Sequence, residues 1–120
     1  MEKSTRIIWD EWEITAIKYL QKNNYEIITT NYQIKGWEID IIAKDWNQII
    51  IIEVKYRRWN KFWTPEEAFA KTKKRNLLYT IKYYCFKNKI DINNIRVDFL
   101  AITKNNISYQ VKHYKNISLY

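Results

Sequence analysis

Hydrophobic and polar positions along the chain predict two helices and five strands. Between residues 5 and 23 apolar side chains recur every three or four positions, which is typical of an amphipathic helix. Asn24 is expected to end this helix in the left-handed conformation. Alternating or continuous apolar runs then predict the strands. These strands cover residues 25–31, 38–44, 48–56, 94–103 and 107–114.

The second helix has a clear start signal. Thr64 suits the N-cap, Pro65 the first helical position and Glu67 the third, where it closes a capping box. This helix is expected to run to about Lys87. The order is therefore α-β-β-β-α-β-β, without a linker or an internal repeat. It predicts one domain over residues 1–120, with an α/β or α+β fold and a mixed sheet.

A predicted hairpin brings two acidic residues together inside the sheet. Its second arm, residues 48–56, is nearly all isoleucine and valine, as expected for a central strand that is buried on both faces. With a two-residue turn at residues 46–47, Asp40 lies directly opposite Glu53 on the same face. Their side-chain bases would be about 5 Å apart, so the two carboxylates repel each other unless a cation lies between them.

Two acids and a neighbouring lysine form the skeleton of a metal-dependent phosphodiesterase. Mg²⁺, or Mn²⁺ in its place, takes oxygen ligands and keeps several waters, and a lysine can stabilise charge on a phosphate. The same register places Glu38 opposite Lys55, so these two can instead form a cross-strand ion pair, or Lys55 can extend into solvent. Neither alternative explains Asp40 beside Glu53, because two acids inside aliphatic strands are costly without a partner.

Glu13 is a third unusual acid. It shares a helical face with Ala16 and Leu20, where a structural residue would normally be aliphatic. Glu13 can therefore belong to the same site, or it can be a solvent-facing glutamate near the start of the helix. The sequence leaves both interpretations open.

The positive charge of the chain is concentrated in one stretch. The formal net charge is +8, and residues 55–89 hold eleven of the 21 lysines and arginines but only two of the 13 acids. A clustered basic excess indicates a polyanion partner, although a solvated lysine-rich surface is the alternative. We assign nucleic-acid contacts to Arg57, Arg58, Lys71, Lys73, Lys74 and Arg75.

Other features point to a cytoplasmic protein. One cysteine excludes an internal disulfide, which fits a reducing cytosol. The first residues include acids and no long apolar run, so no signal peptide is predicted, and the longest aliphatic run is far shorter than the ~20 residues of a membrane span. We expect no membrane partner and no small-molecule cofactor. Cys85 and His113 are expected to be packing or surface residues.

These residues fall within motifs that resemble those of a known family. In chain order the motifs are WDEWEITAIKYL, GWEIDIIAKD, IIIIEVKYR, KFWTPEEAF and RVDFLAI, and together they cover nearly the whole chain. The chain thus resembles the YraN family, uncharacterised bacterial proteins of the restriction-endonuclease-like, or PD-(D/E)XK, nuclease superfamily. Archaeal Holliday-junction resolvases are more distant relatives.

The resemblance implies a restriction-endonuclease-like core, with a central mixed β-sheet flanked by helices. It also implies a Mg²⁺-dependent endonuclease acting on DNA, with branched or structured DNA as candidate substrates. The superfamily's metal-binding acids correspond to Asp40 and Glu53, its catalytic lysine to Lys55 and its helix-1 glutamate to Glu13. Cleavage of junctions would favour a homodimer.

The resemblance also assigns lesser roles. Lys73 stands where the family has a lysine, as a phosphate contact at most, and Arg96 and Asp98 are interpreted as a local structural ion pair. Two other functions stay open, a non-catalytic nucleic-acid-binding module that keeps the nuclease fold and a structural protein whose acids are paired. The presence of both central acids together with the lysine favours the enzyme.

Most of the tryptophans stand where the family pattern has glycine. These are Trp9, Trp12, Trp37, Trp46 and Trp63, while Trp59 lies in a loop. Glycine at such positions serves positive φ or close approach, so each replacement would be destabilising. We hypothesise that the six codons are UGA triplets that the organism reads as glycine. The alternative is a tryptophan-rich protein whose rings stack on nucleic-acid bases. The hypothesis predicts that Trp46, as translated, points into solvent.

Overall fold

The computed structural model describes residues 10–58 and 74–119. Within them the helices and strands follow the predicted order. The helices are α1 (Glu11–Lys22) and α2 (Lys74–Asn88), and the strands are β1 (Glu26–Ile34), β2 (Trp37–Asp45), β3 (Gln48–Arg58), β4 (Ile95–Lys104) and β5 (Tyr109–Tyr114). A 3₁₀ turn over Ile92–Asn94, which the sequence pattern does not predict, leads into β4. The α/β fold with a mixed sheet is therefore confirmed.

Helix α1 begins later than its apolar pattern predicts. Asp10 is extended, with φ −71° and ψ 155°, and the first helical residue is Glu11, so the helix does not run on continuously from residue 5. An aspartate at the N-cap followed by acids in the first turn suits a helix start. Asn24 has φ 69°, which confirms the predicted left-handed ending. Residues 5–9 and the predicted helix start at 64–67 lie outside the described residues.

The sheet keeps the strands in chain order, with β3 at its centre. The pairs β1–β2, β2–β3 and β4–β5 are antiparallel, and β3 and β4 are parallel and paired along their length. Ile50, Ile51 and Ile52 are each fully buried, so β3 is covered on both faces as its composition predicts.

The two helices cover opposite faces of the sheet. Ala16 and Leu20 of α1 pack on one face, and Leu77, Ile81 and Cys85 of α2 pack on the other. The sheet residues in the core under α1 are Ile41, Ala43, Ile50, Ile52, Val54, Leu100 and Ile102. Those under α2 are Ile39, Ile42, Ile51 and Val97. Each helix thus buries its apolar stripe against alternate residues of the central strands.

A tight turn joins β2 to β3, and its length sets their register. Asp45 pairs with Gln48, which confirms the predicted two-residue turn at Trp46 and Asn47. Trp46 has φ 58°, a conformation that is strained for a bulky residue and unstrained for glycine. Its side chain is 91% exposed, as predicted for a tryptophan that has no packing role at this turn.

Candidate active site

Main-chain pairing between β2 and β3 stops where the predicted site begins. The ladder runs from the turn to the pair Ile41–Ile52. Beyond it, the Val54 N–H donates a hydrogen bond to Asp40 Oδ2 at 2.8 Å, and the Asp40 N–H lies 3.5 Å from Glu53 Oε2. The pairs from Asp45–Gln48 to Ile41–Ile52 confirm the predicted register, which places Asp40 opposite Glu53. They meet one position past the ladder, through side-chain contacts, because the Asp40 carboxylate accepts the Val54 N–H.

Burial makes this carboxylate pair costly in its charged form. Glu53 is only 6% exposed and Asp40 is half-buried. Burial raises the pKa of Asp40 from 3.8 to about 6, against the lowering effect of its hydrogen bond from Val54. Burial, followed by the charge of Asp40, raises the pKa of Glu53 well above its ordinary value. A proton or a cation is therefore favoured at this point of the sheet.

The charges of Lys55 and Glu38 shift the pKa values of Asp40 and Glu53 in opposite directions. After burial, the negative charge of Glu38 raises the pKa of both Asp40 and Glu53, whereas the positive charge of Lys55 lowers it. Lys55 is half-buried, two residues after Glu53 on β3. The predicted acid, acid and lysine therefore lie within electrostatic reach of one another.

An open pocket of about 220 Å³ lies against this end of the sheet. It lies where α1 meets the first strands, and it brings Glu13 and Asp40 to a common cavity. Its lining is Trp12, Glu13, Ala16, Ile17, Asn31, Glu38, Asp40, Ile41 and Val54. Glu13, Glu38 and Asp40 therefore share this pocket with apolar side chains of α1, whereas Glu53 and Lys55 are not among its lining residues.

Glu13 also has a structural role at the start of α1. Its Oε1 accepts a hydrogen bond from the Asp10 N–H at 2.9 Å, as the third residue of a capping box does. The side chain lines the pocket, yet one of its oxygens is engaged in capping the helix.

The donor set fits a hard cation held by two carboxylates. In residues 10–58 and 74–119 no three His, Cys, Asp or Glu side chains gather closely enough to hold a metal ion, so Glu13 does not complete a three-acid centre. Even without a third acid, Asp40 and Glu53 offer the oxygen ligands that Mg²⁺ prefers. Mg²⁺ is often bound through one or two carboxylates and several waters. A positive ion would also relieve the cost of burying both charges.

Comparison with known proteins identifies the family. The sequence model of the uncharacterised protein family UPF0102 matches residues 12–102. The chain belongs to this family. UPF0102 is the YraN family, so the resemblance seen in the sequence is confirmed. Because the family is uncharacterised, membership by itself assigns no reaction.

Individual relatives match over most of their length. A UPF0102 protein of Carboxydothermus hydrogenoformans is 40% identical over 112 residues, which cover 93% of this chain and 95% of that protein. A UPF0102 protein of Fusobacterium nucleatum is 41% identical over 98 residues, 82% of each chain. One of Persephonella marina is 35% identical over 97 residues, 81% of this chain and 84% of that protein. The region shared with each of them is thus close to a full UPF0102 chain.

The basic residues predicted to contact nucleic acid fall into two described groups. Lys74 and Arg75 are exposed in the first turn of α2, which contains no acid. Arg57 is half-buried on β3 two residues after Lys55, and Arg58 ends that strand. Lys71 and Lys73 lie outside the described residues.

Neither helix in the described part of the chain is long and apolar enough to cross a membrane.

Asn31 is a pocket residue that the sequence pattern does not single out. Its neighbours on β1, Thr30 and Tyr32, pair with Ile41 and Ile39, so Asn31 stands across from Asp40. It has φ 52° in the middle of a strand and lines the same pocket. Asparagine tolerates the left-handed region better than most residues. In the sequence, the signal for this position is an asparagine inside an otherwise β-forming run.

A second buried acid, Asp98, lies in a hydrogen-bonded network away from the pocket. Arg96 donates to it from Nε at 2.8 Å and from Nη2 at 2.9 Å, which confirms the predicted local ion pair. His113 Nε2 lies 2.7 Å from the same carboxylate, and the Asn116 N–H donates at 3.0 Å. Burial alone would raise the pKa of Asp98, but the bonds from His113 and Arg96 outweigh it and lower the pKa to about 2.

This network fixes the carboxyl-terminal end of α1 to the sheet. Arg96 Nη2 donates to the Tyr25 hydroxyl at 2.7 Å, and the Tyr19 hydroxyl lies 3.1 Å from His113 Nδ1. His113 is therefore a buried packing residue, in line with one of its two expected roles. By holding the end of α1, the network helps to set the position of its other end, which lines the pocket.

Proposed function

We propose that this UPF0102 protein is a Mg²⁺-dependent endonuclease that hydrolyses phosphodiester bonds in DNA. The observation that carries the proposal is the meeting of the half-buried Asp40 and the buried Glu53, both with raised pKa values, at the end of the β2–β3 ladder. A purely structural pair would increase the cost of burying each acid, because two like charges at short range disfavour each other. A cation partner removes that cost.

The two acids and the lysine would have separate roles in the reaction. Asp40 and Glu53 would hold Mg²⁺, or Mn²⁺, through their carboxylate oxygens, and the Val54 N–H fixes the orientation of Asp40. When bound, the ion supplies Lewis-acid stabilisation of charge on the scissile phosphate and makes a water more acidic. Lys55 contributes a positive charge beside the same pair, where it would orient the attacking water and stabilise the developing negative charge.

The basic residues supply the affinity for the polymer. Lys74 and Arg75 project from the start of α2, and Arg57 follows Lys55 along β3. Contacts of this kind neutralise phosphates without reading sequence, and the affinity they give falls steeply with salt. The substrate class that fits is therefore a nucleic acid, with DNA as the proposed polymer.

A second candidate is a non-catalytic nucleic-acid-binding module with the same fold. The capping bond between Glu13 and the Asp10 N–H favours it, because this bond holds the third acid of the predicted site away from a ligand role. In that case one proton shared between Asp40 and Glu53 would take the place of a metal ion, and only the basic residues would serve function.

A cleavage assay with matched variants decides between the two candidates. The protein, and a version with glycine at the six tryptophan positions, is incubated with linear, nicked and four-way-junction DNA in Mg²⁺, Mn²⁺ or EDTA. Cleavage is expected with metal and is expected to be lost in Asp40→Asn, Glu53→Gln and Lys55→Ala. Glu26→Gln removes an exposed acid of β1 and serves as the charge-matched control.

The possible results of this assay distinguish the nuclease from the binding module. Cleavage that survives Asp40→Asn refutes the site, even if the protein is a nuclease. Salt-sensitive DNA binding without cleavage of any substrate in either metal refutes the nuclease and supports the binding module. Circular dichroism of each variant separates loss of a side chain from loss of the fold.

A further inference from the structure

Helix α2 carries a line of aromatic and basic side chains on the face opposite its core residues. The inward face is formed by residues such as Leu77, Ile81 and Tyr84, all buried. On the outward face the helical spacing aligns four exposed residues, which we call the α2 stripe. The α2 stripe consists of Arg75, Tyr79, Lys82 and Phe86.

The rings of the stripe are unusually open to solvent. Tyr79 is 44% exposed and Phe86 is 81% exposed. Single exposed apolar residues are common on proteins and need no explanation. Here the two rings alternate with Arg75 and Lys82 along about 16 Å of one helix face. This regular alternation calls for a partner that has both flat apolar faces and negative charge.

The charge of α2 limits the partner further. The helix Lys74–Asn88 contains several lysines and one arginine and no acid. A second copy of this chain docked stripe against stripe would bring like charges together, which is destabilising. A polyanion would instead meet complementary charge along the whole helix. Among polyanions, nucleic acids also offer flat π-faces that can stack on tyrosine and phenylalanine.

Exposed rings on an outer helix face suit unpaired bases better than paired ones. In a duplex the faces of the bases are stacked on one another, so side chains on an outer helix surface cannot reach them. In a single strand successive bases can lie on aromatic rings while the phosphates contact lysine or arginine. The alternation of rings and cations in the α2 stripe matches this arrangement.

The topology places the Arg75 end of the stripe at the same end of the sheet as the candidate active site, although α2 and the pocket beside α1 lie on opposite faces of the sheet. Because β3 and β4 are parallel, the chain must return from the end of β3 to the start of β4, and α2 lies on this return path. The Arg75 end of the stripe therefore lies toward the end of β3, beyond Lys55. The Phe86 end lies toward the start of the strand pair, where Ile49 pairs with Ile95.

We propose that the α2 stripe binds an unpaired strand of the nucleic-acid substrate. The substrate class of the site would then be DNA that carries a single-stranded tract, such as a flap, a gap or an open branch. This inference rests on the proposed function for the place of cleavage. The binding itself requires neither metal nor catalysis, so it can be measured separately.

The test is a binding assay in EDTA with labelled oligo-dT and with a duplex of equal length. The double variant Tyr79→Ala/Phe86→Ala is expected to bind oligo-dT about 10-fold or more weakly, with less than about a 2-fold change for the duplex. Phe86→Trp should keep the affinity for oligo-dT, and Phe86→Leu should lose it, because leucine is apolar but cannot stack. Arg75→Ala/Lys82→Ala should weaken the binding of both oligo-dT and the duplex, and should flatten the salt dependence of the affinity.

Three results would overturn the inference. These are unchanged oligo-dT binding by the double variant, equal losses on oligo-dT and duplex, and wild-type affinity in Phe86→Leu. The last would indicate a general apolar contact, as in docking of another protein. Matching thermal unfolding midpoints are required of every variant.

The nuclease proposal is tested separately from the single-strand binding proposal. Ring-dependent binding of oligo-dT without metal-dependent cleavage would refute the nuclease and leave the single-strand site in place. Cleavage that depends on Asp40 but not on Tyr79 or Phe86, for flapped and linear DNA alike, would support the nuclease and refute the α2 stripe as its substrate contact.

Discussion

Replacing Asp40 with asparagine should stabilise the metal-free protein while removing the proposed activity. Burial raises the pKa of Asp40 from 3.8 to about 6, so the charged carboxylate is unfavourable in the folded state at neutral pH. Asparagine is nearly isosteric and stays neutral. Its side-chain oxygen can keep the 2.8 Å hydrogen bond from the Val54 N–H, so the end of the β2–β3 ladder should be preserved.

The size and sign of the effect follow from the pKa. A group whose pKa is higher in the folded state contributes stability that is fully present below its unfolded pKa, here 3.8, and is lost as the pH rises through about 6. The shift of Asp40 corresponds to roughly 3 kcal/mol of unfolding free energy. Glu53 acts in the same direction, because burial also raises its pKa. Metal-free protein should therefore lose stability as the pH rises from about 4 through about 6.

Urea unfolding in EDTA at about pH 4 and at about pH 7, on either side of the shifted pKa of Asp40, measures this effect. The stability difference between Asp40→Asn and the wild type should grow from near zero at the lower pH to on the order of 3 kcal/mol at the higher one. Glu26→Gln, which removes an exposed acid, should show no such growth. Added Mg²⁺ should then stabilise the wild type and not Asp40→Asn.

A difference that does not change with pH would refute the reasoning about a costly buried pair, and so would an equal gain in Glu26→Gln. The other buried acid does not interfere in this window. Asp98 has a pKa lowered to about 2, so its contribution to stability is present above 3.8 and is lost only as the pH falls through about 2.

Three further changes test other parts of the molecule. Asp98→Ala should destabilise the protein by about 3–5 kcal/mol in thermal unfolding, because it removes the buried carboxylate that Arg96 and His113 contact at 2.8 and 2.7 Å, and a loss under about 1 kcal/mol would contradict this. Tyr25→Phe removes the acceptor of the 2.7 Å bond from Arg96 and should cost about 1–2 kcal/mol while DNA cleavage is unchanged. Trp46→Gly should raise stability by about 1 kcal/mol, since glycine adopts φ 58° without strain and little packing is lost at 91% exposure. UGG codons at the six tryptophan positions would refute the recoding hypothesis whatever the stability change.

The fold and the core of the site could be predicted because they depend on local patterns. The isoleucine run of β3 indicates a central strand, and the two-residue turn at Trp46 sets the register of β2 against β3. Once the register is known, Asp40 and Glu53 must come close together. The period of the strand and the length of the turn are both readable in the sequence.

The details of the site depend on contacts that no local pattern contains. Whether the ladder continues past Ile41–Ile52 is decided by the Asp40 side chain, which takes the Val54 N–H. The network around Asp98 joins residues far apart in the chain, since Tyr25 and Arg96 are 71 positions apart. Such pairings follow from the packing of α1 against the finished sheet, and periodicity gives no information about them.

The contrast between the two buried acidic sites bears directly on function. Asp98 and Ile52 are paired neighbours on β4 and β3, so Asp98 lies one strand away from the Asp40–Glu53 site. There the chain surrounds a carboxylate with Arg96, His113 and a backbone N–H, and the pKa falls to about 2. At Asp40 and Glu53 the same sheet buries two carboxylates and the pKa values rise. The fold thus satisfies one buried acid completely, while at the next strand it leaves two acids with a preference for a proton or a cation. This preference supports a metal-dependent reaction at Asp40 and Glu53 over a structural role for the pair.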